Sequence, residues 1–236
     1  GSCGVKPVEV RVLFRAQTKK MNETIAIIND PDVTLGHLQD RNITSVNAWE
    51  VEWKDLTPDF NYILLGGHMG AYETLEYPYL DFEKKWISKS VNENYKILGI
   101  CLGAQLIADA LDGKAYLSDN IEFGFKNLEF LDSNSIFDDF KNIEVFSWHR
   151  DTFNIPTMAK LIAKTSFPQI YSIKNTLGIQ FHPEINEYLF EKWYVGEKTK
   201  KELKNFDVDK EFKKIKSNHS QISNSVNSFF DKWISS

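Results

Sequence analysis

The segment Ile97-Leu98-Gly99-Ile100-Cys101-Leu102-Gly103-Ala104-Gln105 constrains the fold more than any other stretch of this chain. An apolar run leads into it, and a helical pattern of Leu106, Ile107, Ala110 and Leu111 leads out. That combination predicts a buried strand turning sharply into a helix, with cysteine at the tip and glycine on both sides. The turn strains the backbone at Cys101 and holds its thiol exposed beside unpaired N–H groups of a helix N-terminus. Those groups and the helix dipole assist a thiol nucleophile and can stabilise a developing oxyanion. A cysteine that only packs in a core needs no glycine flanks. Cys101 therefore reads as a nucleophile, in the strand–nucleophile–helix layout that carries serine in other hydrolases.

The surrounding sequence alternates strand and helix signals. Residues 8–14 predict a first strand. Residues 21–40, which mix Ile25, Ile27 and Ile28 with Asp30-Pro31-Asp32, predict a broken helix or loop. Residues 44–53 read as a second strand carrying Val46 and Trp49, and residues 61–65 as a buried strand stopped by Gly66-Gly67. A helix over 81–91 and a strand over 96–100 follow. This alternation implies an α/β fold with a mainly parallel central sheet flanked by helices. Short strand candidates at 121–131, 143–148, 161–165, 169–173 and 178–181 predict added antiparallel hairpins joined to that sheet. After Pro183 the pattern turns helical.

Residues 197–236 carry a net charge of +3, leaving −8 for the rest, and end in Val226, Phe229, Phe230 and Trp233. They predict a terminal helix docking an aromatic stripe, with the lysines on its solvated face. The expected organisation is one α/β domain over 8–195 and a helical extension over 196–236. A net charge of −5 argues against a general nucleic-acid binder or a polybasic membrane anchor. No apolar run approaches the roughly 20 residues that span a bilayer. The two cysteines, Cys3 and Cys101, lie in unlike contexts, which argues against a disulfide framework and suits a reducing, cytoplasmic setting. Cys3 is expected at a disordered terminus.

A cysteine nucleophile needs a base, and the base needs a group to orient it. Of the five histidines, His182 is the best placed, in Gly178-Ile179-Gln180-Phe181-His182-Pro183-Glu184 at the end of a short apolar strand. Glu184, two residues on, shares a side with His182 if the segment stays extended, and can hold the imidazole tautomer. The glycine turn Gly66-Gly67-His68-Met69-Gly70 follows a buried strand. In a parallel sheet it belongs at the same carboxyl edge as Cys101, where glycine lets backbone N–H groups approach a substrate oxygen.

With these residues in view, the chain resembles the class I, triad-type glutamine amidotransferases, and among them stand-alone members similar to the amidotransferase domain of GMP synthase. The resemblance runs from about residue 8 to 195. Its anchors are Gly66-Gly67 with Tyr72-Glu73 and Glu76-Tyr77-Pro78, the Cys101 turn, Ser147-Trp148-His149-Arg150-Asp151-Thr152-Phe153, and Gln180-Phe181-His182-Pro183-Glu184. It implies a flavodoxin-like sheet and a Cys101–His182–Glu184 triad that hydrolyses the glutamine side-chain amide through a thioester. It further implies an oxyanion hole from the N–H groups of Gly67 and Leu102. Gly66, His68, Gln105, Ser147, Trp148 and His149 would contact the substrate, with Gln105 helping to hold its α-amino and carboxylate groups. No metal or organic cofactor is expected. The expected partners are glutamine or a γ-glutamyl compound and a separate synthetase or ammonia acceptor.

The departures are specific. His68 stands where the family usually has proline, either as a surface-loop residue or as part of the pocket lining. Phe123-Gly124-Phe125 replaces a more polar segment. His149 and Asp151 read as pocket architecture and not as a second base, and His37 and His219 as exposed residues without supporting neighbours. A γ-glutamyl hydrolase or peptidase would use the same triad, and a regulatory protein could keep the scaffold alone.

Overall fold

The computed structural model describes residues 23–133 and 135–236. The expected strand at 8–14 and Cys3 lie outside the described residues. Ten strands occur among them: β1 (Thr24–Ile28), β2 (Ile43–Asn47), β3 (Asn61–Leu64), β4 (Lys96–Ile100), β5 (Lys114–Lys126), β6 (Glu129–Phe130), β7 (Val145–Asn154), β8 (Lys160–Lys164), β9 (Pro168–Ile173) and β10 (Thr176–Ile179). The main sheet runs β2-β1-β3-β4-β10-β9-β8-β6. Strands β2 to β10 in that order are parallel, and β9, β8 and β6 extend the sheet antiparallel.

Helices α1 (Tyr79–Asn92) and α2 (Leu102–Ala110) cover one face, and α7 (His219–Ser235) covers the other; between them in sequence lie α3 (Asp138–Lys141), α4 (Glu187–Trp193), α5 (Glu197–Glu202) and α6 (Val208–Ser217). Alternation along the strands sorts the core into two layers. Ile25, Ile27, Tyr62, Leu64 and Ile97 pack with Trp86 of α1 and with Leu106 and Ile107 of α2. Ala26, Ile63, Leu98, Ile100 and Ile179 pack on the opposite face with Val226, Phe229, Phe230 and Trp233 of α7. No described helix is long and apolar enough to cross a membrane.

Three expectations need correction. Residues 24–28 are not a broken helix or loop but β1, paired with β2 along its whole length and with β3 over residues 24–27. A strand buried on both faces is a continuous apolar run, which periodicity cannot separate from a short helix. The strand placed at 44–53 ends at Asn47; Ala48–Glu50 and Trp53–Asp55 are 3₁₀ turns, and Trp49 packs edge-on against Tyr79. Of the hairpins expected to join the main sheet, β5 and β7 instead form a separate two-stranded ribbon, with a register break between Leu117 and Glu122. Ribbons of this kind twist strongly and bulge, so they can leave the sheet plane and fold over its edge.

Candidate active site

The three motifs come together because β3, β4 and β10 are neighbours. The Gly66-Gly67 turn leaves β3, Cys101 leaves β4, and His182 follows β10, all at the carboxyl ends of adjacent parallel strands. Crevices at that edge are where open α/β sheets place their ligands. A Cβ on Gly66 would lie 3.4 Å from His182 Cε1 and 3.5 Å from Cys101 Cβ, so all three turns meet at one point.

Cys101 has φ 51° and ψ −108°, a strained backbone for a side-chain-bearing residue. Its N–H donates to the Ile179 carbonyl at 2.8 Å, which ties the turn to β10. Gly103 makes the close helix–strand contact: a Cβ there would sit 2.2 Å from the Leu64 carbonyl oxygen. Contrary to the exposed thiol expected from the turn, Cys101 is only 6% accessible. It sits on the floor of a cleft of about 380 Å³, because the loop after β3 and the segments around Trp148 and His182 rise around it.

His182 Nδ1 donates to Glu184 Oε1 at 2.7 Å, and Nε2 faces the Trp148 carbonyl at 3.4 Å. Burial alone would disfavour the charged ring. The Glu184 carboxylate, with the nearby Cys101, outweighs it and raises the His182 pKa well above the ordinary histidine value. Glu184 is fully buried, and its main-chain carbonyl accepts the His37 N–H at 3.1 Å. Cys101 and His182 thus line one cleft, and the imidazole is hydrogen-bonded to Glu184.

Because folding raises this pKa, protonated His182 stabilises the folded chain below the ordinary histidine range. The stabilisation is lost as pH climbs through the raised folded value. In Cys101→Ser the contribution of the sulfur is removed, so His182 is expected to titrate at lower pH than in the parent. Imidazole ¹⁵N NMR titration of both proteins checks this, and an unchanged midpoint would contradict the contact.

Gly67, His68, Gln105, Trp148 and His149 line the cleft. Among the described residues no acceptor is recorded for the N–H groups of Gly67 or Leu102, whereas the next N–H, that of His68, is taken by Asp30 Oδ2 at 3.0 Å. Asp30 also holds His68 Nδ1 at 2.6 Å, and Tyr77 OH lies 3.1 Å from Nε2, so His68 is a fixed wall of the pocket and not loop filler. Gln105 Nε2 donates to the Asp151 carbonyl at 3.1 Å and to Gln180 Oε1 at 3.2 Å. Ser147 is fully buried, is not among the residues lining the cleft, and its hydroxyl has no recorded hydrogen-bond partner among the described residues.

Sequence reading missed two features of the site. Glu122 anchors a buried network with His149 Nε2 at 3.0 Å, Thr165 Oγ1 at 2.6 Å and Gln169 Nε2 at 2.6 Å. Burial works against its charge, but the hydrogen bonds with His149 and Thr165 keep Glu122 below its usual pKa. His149 Nδ1 faces the Asp151 carbonyl at 3.0 Å, so both ring nitrogens meet acceptors and the ring is a strut. Trp193 of α4 packs on His182 with ring centroids 4.8 Å apart, and its indole N–H donates to the Asp32 carbonyl at 3.0 Å. Nothing local marks either residue; only the fold brings them to the site. His37 is also corrected: it is half-buried, 4.8 Å from the His219 ring, and its pKa falls to about 4 through burial and the His219 charge.

A thiol on a strained turn, a buried imidazole held by a carboxylate and free N–H groups nearby can support acyl transfer through a thioester. Comparison with known proteins gives the family. Residues 37–201 match the family described as "Glutamine amidotransferase class-I". The glutamine-hydrolyzing GMP synthase of Brachyspira hyodysenteriae is 37% identical over 130 residues, covering 52% of this chain and 24% of that protein. A glutamine-hydrolyzing GMP synthase subunit from Thermococcus kodakarensis is 36% identical over 98 residues, covering 39% of this chain and 52% of that protein. The chain spans about half or less of the length of these curated relatives. The crystal structure of a glutamine amidotransferase from Thermotoga maritima aligns over 92% of this chain and 100% of its own, with a TM-score of 0.80 and 26% identity. Fold, motif order and family match agree: this chain belongs to the class-I glutamine amidotransferase family.

Proposed function

We propose that this protein hydrolyses the side-chain amide of glutamine through a γ-glutamyl thioester on Cys101. The observation that carries the reading is the convergence of Cys101 and His182 in one cleft, with the imidazole hydrogen-bonded to Glu184.

In the first half-reaction the Cys101 thiolate attacks the amide carbon. The N–H groups of Gly67 and Leu102 receive the negative oxygen. His182, held protonated by Glu184, gives its proton to the departing nitrogen, which leaves as ammonia when the C–N bond breaks. In the second, His182 takes a proton from water, whose oxygen attacks the thioester carbon. The C–S bond breaks, glutamate leaves and the thiolate is restored. Every proton and electron pair is thereby accounted for with the chain's own groups. Relatives named as subunits of GMP synthase support a further step of the reading, in which the ammonia passes to a separate synthetase or acceptor.

A γ-glutamyl amide of a larger amine follows the same path, and the size of the cleft keeps that substrate in play. Purified protein is therefore assayed with L-glutamine for ammonia and with γ-glutamyl peptides for free amine. Ammonia release that disappears in Cys101→Ala, with a diazoketone glutamine analogue found on Cys101 by mass spectrometry, is the expected result. Turnover that survives Cys101→Ala sinks the thioester. Amine release without ammonia moves the substrate to γ-glutamyl peptides.

A further inference from the structure

Beneath the turn that leaves β3, two buried oxygens lack a donor. Glu83 on α1 and Asn29, the residue after β1, are both fully buried. Asn29 Nδ2 donates to the Leu65 carbonyl at 3.2 Å and to Glu83 Oε1 at 3.4 Å. The other oxygen of each group, Glu83 Oε2 and Asn29 Oδ1, has no hydrogen-bond partner among the described residues. Orphaned acceptors at this depth are costly, and here they belong to two groups already in contact. A carboxylate cannot supply the missing donor, whereas a carboxylic acid carries one O–H. Burial pushes the Glu83 pKa up to about 8, with only the Asn29 hydrogen bond working against it. The charged and titratable groups on the elements packed against α1 are engaged elsewhere or exposed. Asp30 holds His68, Lys84 is held by Asp109 of α2 at 2.9 Å, and Tyr79 OH donates to the Asn29 carbonyl at 2.7 Å. On the two 3₁₀ turns Glu50 accepts from Asn47, Lys54 faces Glu52 at 3.6 Å and Asp55 is exposed.

We propose that Glu83 is a positioning residue for the Gly66-Gly67 turn, an assignment that rests on the reading in which the Gly67 N–H receives the negative oxygen. Held as a neutral carboxylic acid, it accepts from Asn29 Nδ2, donates to Asn29 Oδ1 and so fixes the Leu65 carbonyl. Acid and primary amide each donate once and accept once, so a single proton satisfies both orphaned oxygens. Gly66 and Gly67 have no side chains to restrain them, and their geometry is set by the residues on either side. Leu65 is held through its carbonyl by Asn29 and through its N–H by the Ile27 carbonyl at 3.0 Å. His68 is held through its N–H by Asp30 at 3.0 Å. Asn29 and Asp30 are consecutive residues of the loop after β1, so that loop clamps both flanks of the two glycines, and Glu83 braces the first clamp. Loss of the proton sets a carboxylate against the amide oxygen, which releases Asn29 and loosens the turn. An oxyanion donor acts only when held where the charge develops, so the effect falls on kcat.

Ammonia release from glutamine is measured between about pH 6 and about pH 9 in the parent, Glu83→Gln and Glu83→Leu. Glutamine at this position re-forms the paired bonds as amide to amide and cannot ionise, whereas leucine fills the space and makes neither bond. Glu83→Leu is expected to lower kcat at least about tenfold with little change in KM, and Glu83→Gln to recover most of that loss. As pH climbs through about 8 the parent loses kcat relative to Glu83→Gln, by about threefold or more at about pH 9. Alkylation of Cys101 by iodoacetamide, which needs no oxyanion donor, keeps its rate in Glu83→Leu. The infrared difference spectrum of the parent against Glu83→Gln shows the carbonyl band of a protonated carboxyl at about pH 6, fading towards about pH 9. Full kcat in Glu83→Leu, matching pH profiles in the parent and Glu83→Gln, alkylation that falls in step with kcat, or absence of the band overturns the proposal. If Glu83→Leu does not fold, the pH profiles and the infrared band still decide. Failure of the thioester reading looks different, as turnover that survives Cys101→Ala.

Discussion

Alanine at Cys101 or at His182 is expected to lower ammonia release from glutamine by about 10⁴-fold or more, and combining the two should cost little beyond either alone. Each removes a group the other needs. Without the thiol there is no acyl acceptor. Without the ring, Glu184 is left as a fully buried carboxylate facing a hole, and nothing protonates the departing nitrogen. Glu184→Gln is milder: a carboxamide still fills the space, but it can present N–H₂ to Nδ1 and favour the wrong tautomer, so a weakened enzyme remains. Steady-state ammonia assays on the four variants measure this, with near-ultraviolet circular dichroism as the folding control. Additive losses in the double variant, or Cys101→Ala within tenfold of the parent, would contradict a shared thioester mechanism.

The second large effect is expected far from the nucleophile in sequence, at Gly36. This residue has φ +51°, and a Cβ built on it would fall 1.8 Å from the main-chain oxygen of Glu184 and 2.9 Å from Leu189 Cδ1. The same oxygen accepts the His37 N–H, so the turn at Gly36–Leu38 is the backbone seat of Glu184. Gly36→Ala adds left-handed strain of about 1 kcal/mol and overpacking of about 1–3 kcal/mol. For a chain of this size that lowers Tm by roughly 4–16 °C. It should also reduce kcat, because the clash is relieved by moving Glu184. Gly196 provides the control. Its φ is +83°, but nothing lies within 4 Å of a Cβ there, so Gly196→Ala carries the conformational strain without the collision. Thermal melts and kcat for the pair decide the matter. Equal Tm losses, or full kcat in Gly36→Ala, would mean that the seat yields without disturbing the triad.

Much of the parallel half of the fold was legible because its signals are local. The run at 61–65 ending in two glycines, the helix at 81–91 and the strand–cysteine–helix turn match β3, α1, β4 and α2 to within a few residues at each end. The strand β1 was not legible, since Asp30-Pro31-Asp32 follows it at once and a five-residue apolar run carries no usable period. His37 looked isolated because its neighbour His219 belongs to the last helix of the chain. His68 looked like loop filler because its partner Asp30 comes from the loop after β1, which only strand pairing sets beside the turn after β3. Trp193 and Glu122 share that property. Each becomes part of the site through a contact whose two ends are chosen by packing and not by spacing.

By itself, the order of amino acids determined the chemistry on offer: a thiol between two glycines at a strand end, and an imidazole two residues from a carboxylate. Backbone sterics and side-chain alternation act over a few residues, so short motifs carry them in full. Only the tertiary structure decided that β10, last of the parallel strands in sequence, pairs beside β4, which brings His182 and Glu184 to the sulfur. It also decided that the thiol lies on the floor of a cleft and that the helices after His182 close one wall. Strand neighbours in a parallel sheet are selected by burial of both faces, a cooperative property of the whole core that no single segment encodes.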